Sequence, residues 1–291
     1  MNMSIESYKR EYLNYLSKIP SMEKSWKVWG PIIKKELQSA NGKTVYDLGD
    51  KLSSIFKSNV VGRSQSTQSG GGAAWECLVV WYLNLIFWDT STVIIKTNKK
   101  FVPKSIRDIL TVTIANNQTN TESDVVLFNI PNANALMNKD ITKKVLETHM
   151  SSRLNMTTLV NLQLKTNWND NAQIPMLWDM IYNSKTKSSN ASVGVNGVSP
   201  SSLNNFAYAF ATVPTNKISS YKINSVSVLR VKNLTGGNFW GHPSKGGIAS
   251  SIKELPTRNF SSEFNGGVIA HIQNQIQKNK NYLNEFLNLS W

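Results

Sequence analysis

Cysteines, acidic residues and long apolar runs are scarce in this chain, and each scarcity excludes a class of protein. Cys77 is the only cysteine, which excludes a disulfide framework and a cysteine-based zinc site. The longest apolar run, residues 73–88, is interrupted by Glu76 and Asn84 and is too short for a transmembrane helix. The N-terminal residues contain no apolar signal core, so we expect a soluble cytoplasmic protein.

The sequence also lacks the patterns of several common hydrolases. Its histidines, His149, His242 and His271, form no His-x-x-His pair, which argues against zinc hydrolysis and against a His-Asn-His nuclease. No Gly-x-Ser-x-Gly elbow occurs, and Cys77 lies within an apolar stretch without an obvious base. These absences argue against zinc, serine and cysteine hydrolase chemistry.

Positive charge is the main feature of the composition. The 291 residues include 32 lysines and arginines against 18 acidic residues, giving a net charge of +14 and a pI of about 9.7. Contacts between lysine or arginine and phosphates release counterions, so this balance favours nucleic acid, before membrane, as the partner. The alternative is a soluble basic protein without a polyanionic partner.

Hydrophobic periodicity predicts an α/β fold with a central mixed sheet flanked by helices. The length allows a sizeable core, and no internal repeat is found. The predicted helices cover three segments of 4–57, then 73–87, 141–154, 172–183 and 268–278; the predicted strands cover 92–97, 124–130, 159–165, 206–213 and 221–231.

A polar, glycine-rich stretch, residues 63–72, leads into the predicted helix 73–87. It lacks the Gly-Lys-Ser/Thr ending of a nucleotide-binding loop. Arg63 and the backbone amides of this stretch are therefore predicted to approach a phosphate backbone, with a plain linker as the alternative. In the helix, Glu76 shares the apolar face, and a buried carboxylate requires a cation or a hydrogen-bond network nearby.

Polar residues alternate with apolar ones in the predicted strand 159–165. Gln163 and Lys165 lie on one side of the strand and Leu164 on the other. Asp124 begins the preceding predicted strand, so neighbouring strands would bring Asp, Gln and Lys together. The alternatives are an edge strand with a solvated polar face and an aspartate that only caps a turn.

The order of these residues resembles the PD-(D/E)xK nuclease superfamily, and in particular its type II restriction endonucleases. The resemblance covers about residues 70–182: an acid, Glu76, on the leading helix, then Asp124, then Gln163-x-Lys165. Two positions depart from the pattern, since Ser123 replaces the usual proline and Gln163 replaces the usual acid. An amide oxygen still suits a hard cation but attracts it less strongly.

The resemblance implies a role for each of these residues. Asp124 would ligate Mg²⁺, Gln163 would supply a second oxygen, and the Leu164 carbonyl would complete the protein ligands. Lys165 would orient or deprotonate the attacking water, and Glu76 would ligate a second metal or hold Lys165 in place.

Basic, aromatic and amide side chains outside this motif are candidates for DNA contact. Direct base readout, phosphate contact and no contact all remain open for each of them. The residues are Arg63, three just past the motif lysine, Asn167, Trp168 and Asn169, and six in the C-terminal third, Arg230, Lys232, Asn238, Trp240, His242 and Lys245.

The resemblance also implies an organisation and partners. We expect a single endonuclease domain, residues 1–291, with N-terminal helices in 1–62, the catalytic core in 63–183 and a DNA-recognition and dimerisation region in 184–291. It implies a homodimer that cuts double-stranded DNA at a short palindrome, with a cognate methyltransferase protecting the host. The alternatives are a non-catalytic DNA-binding protein with a decayed site and a structure-specific nuclease such as a junction resolvase.

Overall fold

The computed structural model describes residues 3–59, 68–114, 117–119, 123–137, 139–166, 191–213, 222–241 and 249–288. Its helices are α1 (Met3–Ser17), α2 (Pro20–Glu36), α3 (Gly42–Ser58), α4 (Gln68–Ile86), α5 (Lys104–Leu110), α6 (Lys143–Ser151), α7 (Val226–Thr235), α8 (Glu254–Asn259), α9 (Val268–Lys278) and α10 (Tyr282–Leu287). Its strands are β1 (Thr92–Lys96), β2 (Val112–Ile114), β3 (Asn117–Thr119), β4 (Val125–Asn129), β5 (Thr158–Lys165), β6 (Ala191–Val193), β7 (Asn205–Thr212) and β8 (Phe239–Trp240).

The fold is α/β, with a mixed five-stranded sheet in the order β1, β4, β5, β7, β8 and helices flanking it. β4 and β5 are antiparallel, with Val125 opposite Leu162, whereas β5 and β7 are parallel, with Lys165 opposite Thr212. A separate antiparallel sheet has the order β3, β2, β6. The predicted fold class is therefore confirmed at this level.

The chain forms two compact units, of which the first contains Met1–Lys96, Asn132–Ile141 and Ser251–Trp291. Helix α4 is its core, since every side chain from Cys77 to Phe87 is at most 1% exposed. A helix that is apolar on all sides is stable only when other elements surround it. Helices α1, α2, α3 and α10 pack against α4, and the Trp81 indole N–H donates to the Phe286 carbonyl at 3.0 Å. Among the described residues, no helix is both long enough and apolar enough to cross a membrane.

The second unit contains Thr97–Pro131 and Thr142–Ser250. Strand β5 lies between β4 and β7, and each side chain from Leu159 to Leu164 is at most 3% exposed. β5 is thus an interior strand, and the alternative of an edge strand with a solvated polar face is wrong. The polar side of β5, including Asn161 and Gln163, is buried.

Most predicted elements have counterparts in the structure. The three N-terminal helices, the strands at 92–97, 124–130 and 206–213, and the helical connection within 141–154 are confirmed within a few residues. Helix α9 has the predicted bounds, 268–278. The predicted helix 172–183 lies outside the described residues.

Two predictions are corrected. The segment predicted as a strand at 221–231 contains helix α7, because its valines also recur at helical spacing and bury Val228, Val231 and Thr235 on one side. Gly236, with φ of 59°, then ends the helix in the left-handed conformation. The glycine-rich stretch predicted as a loop is helical from residue 68 onward, because the buried helix that follows extends through it.

Candidate active site

Asp124 immediately precedes β4 and lies beside the end of β5. Because Val125 is opposite Leu162 in an antiparallel pair, the preceding residue on β4 comes next to Gln163. The Asp124 carboxylate oxygen Oδ2 accepts two hydrogen bonds, from Gln163 Nε2 at 2.6 Å and from the Leu164 backbone N–H at 2.8 Å. The backbone carbonyl of Asp124 accepts from the Thr97 N–H at 2.9 Å. The structure therefore brings together three of the residues predicted to hold a metal, with Leu164 contributing its N–H to this contact instead of its carbonyl.

Gln163 is fully buried and only half satisfied. Its Nε2 donates to Asp124, whereas its Oε1 has no hydrogen-bond partner among the described residues. Asn161, two residues earlier on the same side of β5, is also fully buried, and neither of its polar side-chain atoms has a partner within those residues. Buried polar groups without partners are rare in proteins and indicate an ordered water, an ion or a ligand.

The donor set suits a hard cation, but weakly. A carboxylate, an amide oxygen and a backbone carbonyl are all oxygen ligands of the kind that Mg²⁺ prefers. Rotation of the Gln163 amide by 180° would direct its oxygen, in place of its N–H, to the side of Asp124, and amide oxygen and nitrogen are assigned from such contacts. Across the described ranges, no group of three or more His, Cys, Asp or Glu side chains could hold a metal. With one carboxylate among them, these residues would hold a Mg²⁺ ion only together with several of its waters.

Lys165 ends β5 on the same side of the strand as Gln163. Its side chain is half-buried and forms no ion pair within the described part of the chain. Its backbone pairs with β7, where the Val213 N–H donates to the Lys165 carbonyl at 3.0 Å. Opposite it, Thr212 is fully buried, and Thr212 Oγ1 has no partner among the described residues. A cationic group therefore follows the buried amides along one side of β5.

Glu76, in the first unit, has a cationic partner, as its place on the apolar face led us to expect, but the sequence did not identify that partner as Lys96. Its carboxylate lies 2.6 Å from the Lys96 ammonium, and the two side chains are 16% and 26% exposed. The Lys96 backbone N–H donates to Tyr12 Oη at 2.6 Å, which fixes the end of β1. A signal was available, because Lys96 is the first basic residue after Glu76 in the sequence. The prediction that Glu76 ligates a second metal or holds Lys165 stays a prediction.

The predicted DNA-contact residues differ in exposure. On α7, Lys232 is exposed and Arg230 is half-exposed. Trp240 is also half-exposed, and its indole N–H donates to the Ser250 carbonyl at 3.0 Å. Asn238 is only 8% exposed. The remaining predicted residues, Arg63, Asn167, Trp168, Asn169, His242 and Lys245, lie outside the described residues.

Comparisons with protein-family models, with curated proteins and with solved structures give no match to this chain.

Proposed function

We propose that the protein is a Mg²⁺-dependent type II restriction endonuclease with a restriction-endonuclease-like core, acting as a homodimer on double-stranded DNA at a short palindrome. Its functional counterpart would be a DNA methyltransferase that protects the same sequence. The observation that carries the proposal is the contact of the Asp124 carboxylate with Gln163 and Leu164, followed on the same strand by Lys165. A net charge of +14 supports a phosphate-rich substrate.

The chemistry required is attack of water on a phosphodiester that already carries negative charge. When bound, Mg²⁺ supplies Lewis-acid activation of water and of a phosphate oxygen. Asp124, the Gln163 amide oxygen and the Leu164 carbonyl would hold the ion. The Lys165 ammonium would orient the attacking water and offset the negative charge that develops on phosphorus as the new P–O bond forms and the ester P–O bond breaks.

The test is digestion of unmethylated phage-length DNA in Mg²⁺ or in EDTA, followed by gel electrophoresis and sequencing of the ends. Discrete fragments that form only with Mg²⁺ are expected from the wild type. Asp124→Ala and Lys165→Ala should each reduce the cleavage rate by about a hundredfold or more, because each removes a group that stabilises the transition state. Lys222→Ala, which removes an exposed lysine elsewhere in the second unit, should cleave like the wild type. Cleavage that survives both site substitutions would refute the assignment.

The second candidate is a DNA-binding protein without nuclease activity. It is favoured by the hydrogen bond from Gln163 to Asp124, which satisfies the carboxylate without a cation. This candidate predicts intact DNA in every digestion and a mobility shift that does not depend on Mg²⁺. A structure-specific nuclease would instead prefer branched DNA to linear duplex and give no fixed fragment sizes.

A further inference from the structure

Four lysines lie together on the solvent-exposed side of α2. Lys24, Lys27, Lys34 and Lys35 are all exposed, and the only exposed acid on this helix is Glu23 in its first turn. Helical spacing places residues 24, 27, 34 and 35 along one side of the helix. At 1.5 Å per residue they span roughly 16 Å, which is about five base pairs of duplex at 3.4 Å each. We call these four residues the α2 lysine face.

The α2 lysine face forms no ion pair within the described residues, although Glu23 lies four residues before Lys27 on the same helix. Within the described chain no ion pair or hydrogen bond involves any of its four ammonium groups. On α3, by contrast, two of the three exposed lysines are paired: Lys43 with Asp47, and Lys51 with Glu36 at the end of α2. Lys253 is likewise paired, with Asp47 at 2.7 Å and with a second acid on α3. Within the described residues, α2 thus carries four exposed lysines without an ion pair, whereas α3 carries one, Lys57.

Helix stability does not explain the α2 lysine face. Lysines near a helix C-terminus interact favourably with the helix dipole, which accounts for Lys34 and Lys35. Lys24 and Lys27 lie beyond the first turn and before the last one, where the helix dipole gives a lysine no stabilisation. Four like charges along one side of a helix also repel one another, so their arrangement favours a ligand that carries several negative charges.

The surroundings of the face narrow the class of ligand. A cavity of about 460 Å³ borders it, and its lining includes Lys27 and Lys34 with Gly30 and Pro31 between them. The exposed apolar surface on this side is small, with Val28 39% exposed. Membrane-surface helices combine a basic face with a large apolar one, which α2 buries in the first unit. A hydrophilic polyanion with regularly spaced charges fits better than a lipid surface.

We propose that the α2 lysine face binds the phosphate backbone of duplex DNA without reading its sequence. The identification of the polyanion as DNA rests on the function proposed above. The face would add affinity and association rate, and it would act whether or not Mg²⁺ is present.

The test compares two variants that lower the net charge equally, from +14 to +10, since each loses four lysines. The exposed positions accept glutamine with little change in helix propensity. The α2 variant combines Lys24→Gln, Lys27→Gln, Lys34→Gln and Lys35→Gln; the control variant combines Lys43→Gln, Lys51→Gln, Lys278→Gln and Lys280→Gln.

Binding to a fluorescent random-sequence duplex is measured in EDTA between about 50 and 200 mM salt, where phosphate contacts dominate. We expect the α2 variant to lose about tenfold or more in affinity and to lower the slope of log K against log salt by about 0.9 for each phosphate contact removed. The control variant should keep most of the affinity and of the slope. A third variant with arginine at the four α2 positions should bind like the wild type, and Tm measurements verify that every variant is folded.

Equal losses in the α2 and control variants would overturn the proposal, because bulk charge alone would then explain binding. The proposal would also be overturned if the α2 substitutions weakened binding to phosphatidylserine vesicles more than binding to duplex DNA. That result would indicate a membrane surface as the ligand. Failure of the two proposals is distinguishable: DNA binding through α2 without Mg²⁺-dependent cleavage would refute only the nuclease, and cleavage with α2-independent binding would refute only the α2 lysine face.

Discussion

Gln163 is the residue whose expected contacts differ most between an active nuclease and an inactive DNA-binding protein. Its amide N–H now stabilises the Asp124 carboxylate inside the second unit. A cation that replaces this hydrogen bond would have to bind the Gln163 amide oxygen, which has no partner among the described residues. The stability of the protein with and without Mg²⁺ therefore reports on the site even before any DNA is tested.

Gln163→Glu should destabilise the protein in EDTA and make Mg²⁺ stabilising. The substitution removes the donor to Asp124 and places two carboxylates side by side, a loss of about 2 kcal/mol. At roughly 3 °C per kcal/mol, Tm in EDTA should fall by about 6 °C, and Mg²⁺ should restore most of it. Gln118→Glu, on the exposed strand β3, is the control and should change neither value. A Gln163→Glu protein with an unchanged Tm that ignores Mg²⁺ would exclude a cation at this position.

His271 gives the first unit a dependence on pH. Its Nε2 lies 2.7 Å from the Trp88 carbonyl, which requires the N–H to be on that nitrogen. Burial lowers the pKa of His271 from its ordinary value of 6.5, and the Trp88 hydrogen bond and the Asp89 and Glu263 charges only partly offset this. The folded state therefore binds a proton less readily than the unfolded state.

The stability that His271 contributes is fully present above pH 6.5, the ordinary pKa of histidine. It is lost as the pH falls through the lower pKa of His271 in the folded state. Urea unfolding from about pH 7.5 to about pH 5 should show a decline for the wild type that is shallower for His271→Gln. The comparison isolates this side chain from carboxylates that titrate in both proteins. Parallel pH profiles would show that His271 does not stay neutral in the folded protein.

At the scale of single elements, two glycines with positive φ distinguish two reasons for a glycine. One is close packing against another strand, and the other is the left-handed backbone conformation alone. Gly241, with φ of 114°, follows β8, and a Cβ atom there would lie 2.1 Å from the Thr212 carbonyl oxygen of β7. Gly236, with φ of 59°, ends α7, and a Cβ atom there would contact nothing within 4 Å. Both belong to the second unit, so each serves as the reference for the other.

Gly241→Ala should cost on the order of 3 kcal/mol or more, because the chain must shift away from β7 in addition to adopting a strained φ. Gly236→Ala should cost only about 1 kcal/mol, the price of the left-handed conformation alone. Urea unfolding of both variants measures the difference. Equal losses would mean that the close approach of β8 to Thr212 is absent in solution.

Elements with one dominant period were predictable from sequence, and elements with mixed signals were not. Helix α9 has an amphipathic pattern and was predicted to the residue, whereas α7 carries alternating valines that fit a strand locally. The small sheet could not be foreseen, because β6 pairs with β2, whose residues are distant in sequence: Val193 lies opposite Val112. The contact of Asp124 with Gln163 was foreseeable, because Asp124 begins one predicted strand and Gln163 lies near the end of a predicted strand expected to be its neighbour. The Lys96 partner of Glu76 depends on the packing of α4 with β1, which local pattern does not specify.

For the whole molecule, Cys77 is a built-in reporter of folding. It is the only cysteine, it is fully buried in α4, and burial raises the pKa of its thiol to about 12. A neutral, buried thiol reacts with alkylating reagents only when the surrounding structure opens.

Alkylation of the native protein by iodoacetamide, followed by mass spectrometry, should therefore be at least about a hundredfold slower than in urea, where α4 is exposed. Because there is one thiol per chain, the labelled fraction directly counts molecules in which the first unit has opened. Labelling in native buffer at the rate of the unfolded protein would contradict the burial of α4.

The first unit joins segments from opposite parts of the chain, and this affects how it is made. The Trp81 N–H donates to the carbonyl of Phe286, a residue 205 positions later, and the Gly42 N–H donates to Gln273, 231 positions later. At synthesis rates of roughly 5 to 20 residues per second, α4 leaves the ribosome about 10 to 40 seconds before its covering helix α10 exists. During that interval α4, the most apolar helix among the described residues, lacks part of its cover. Lower growth temperatures and abundant chaperones should therefore raise the yield of folded protein. The gain should exceed the gain for a domain whose core is contiguous in sequence.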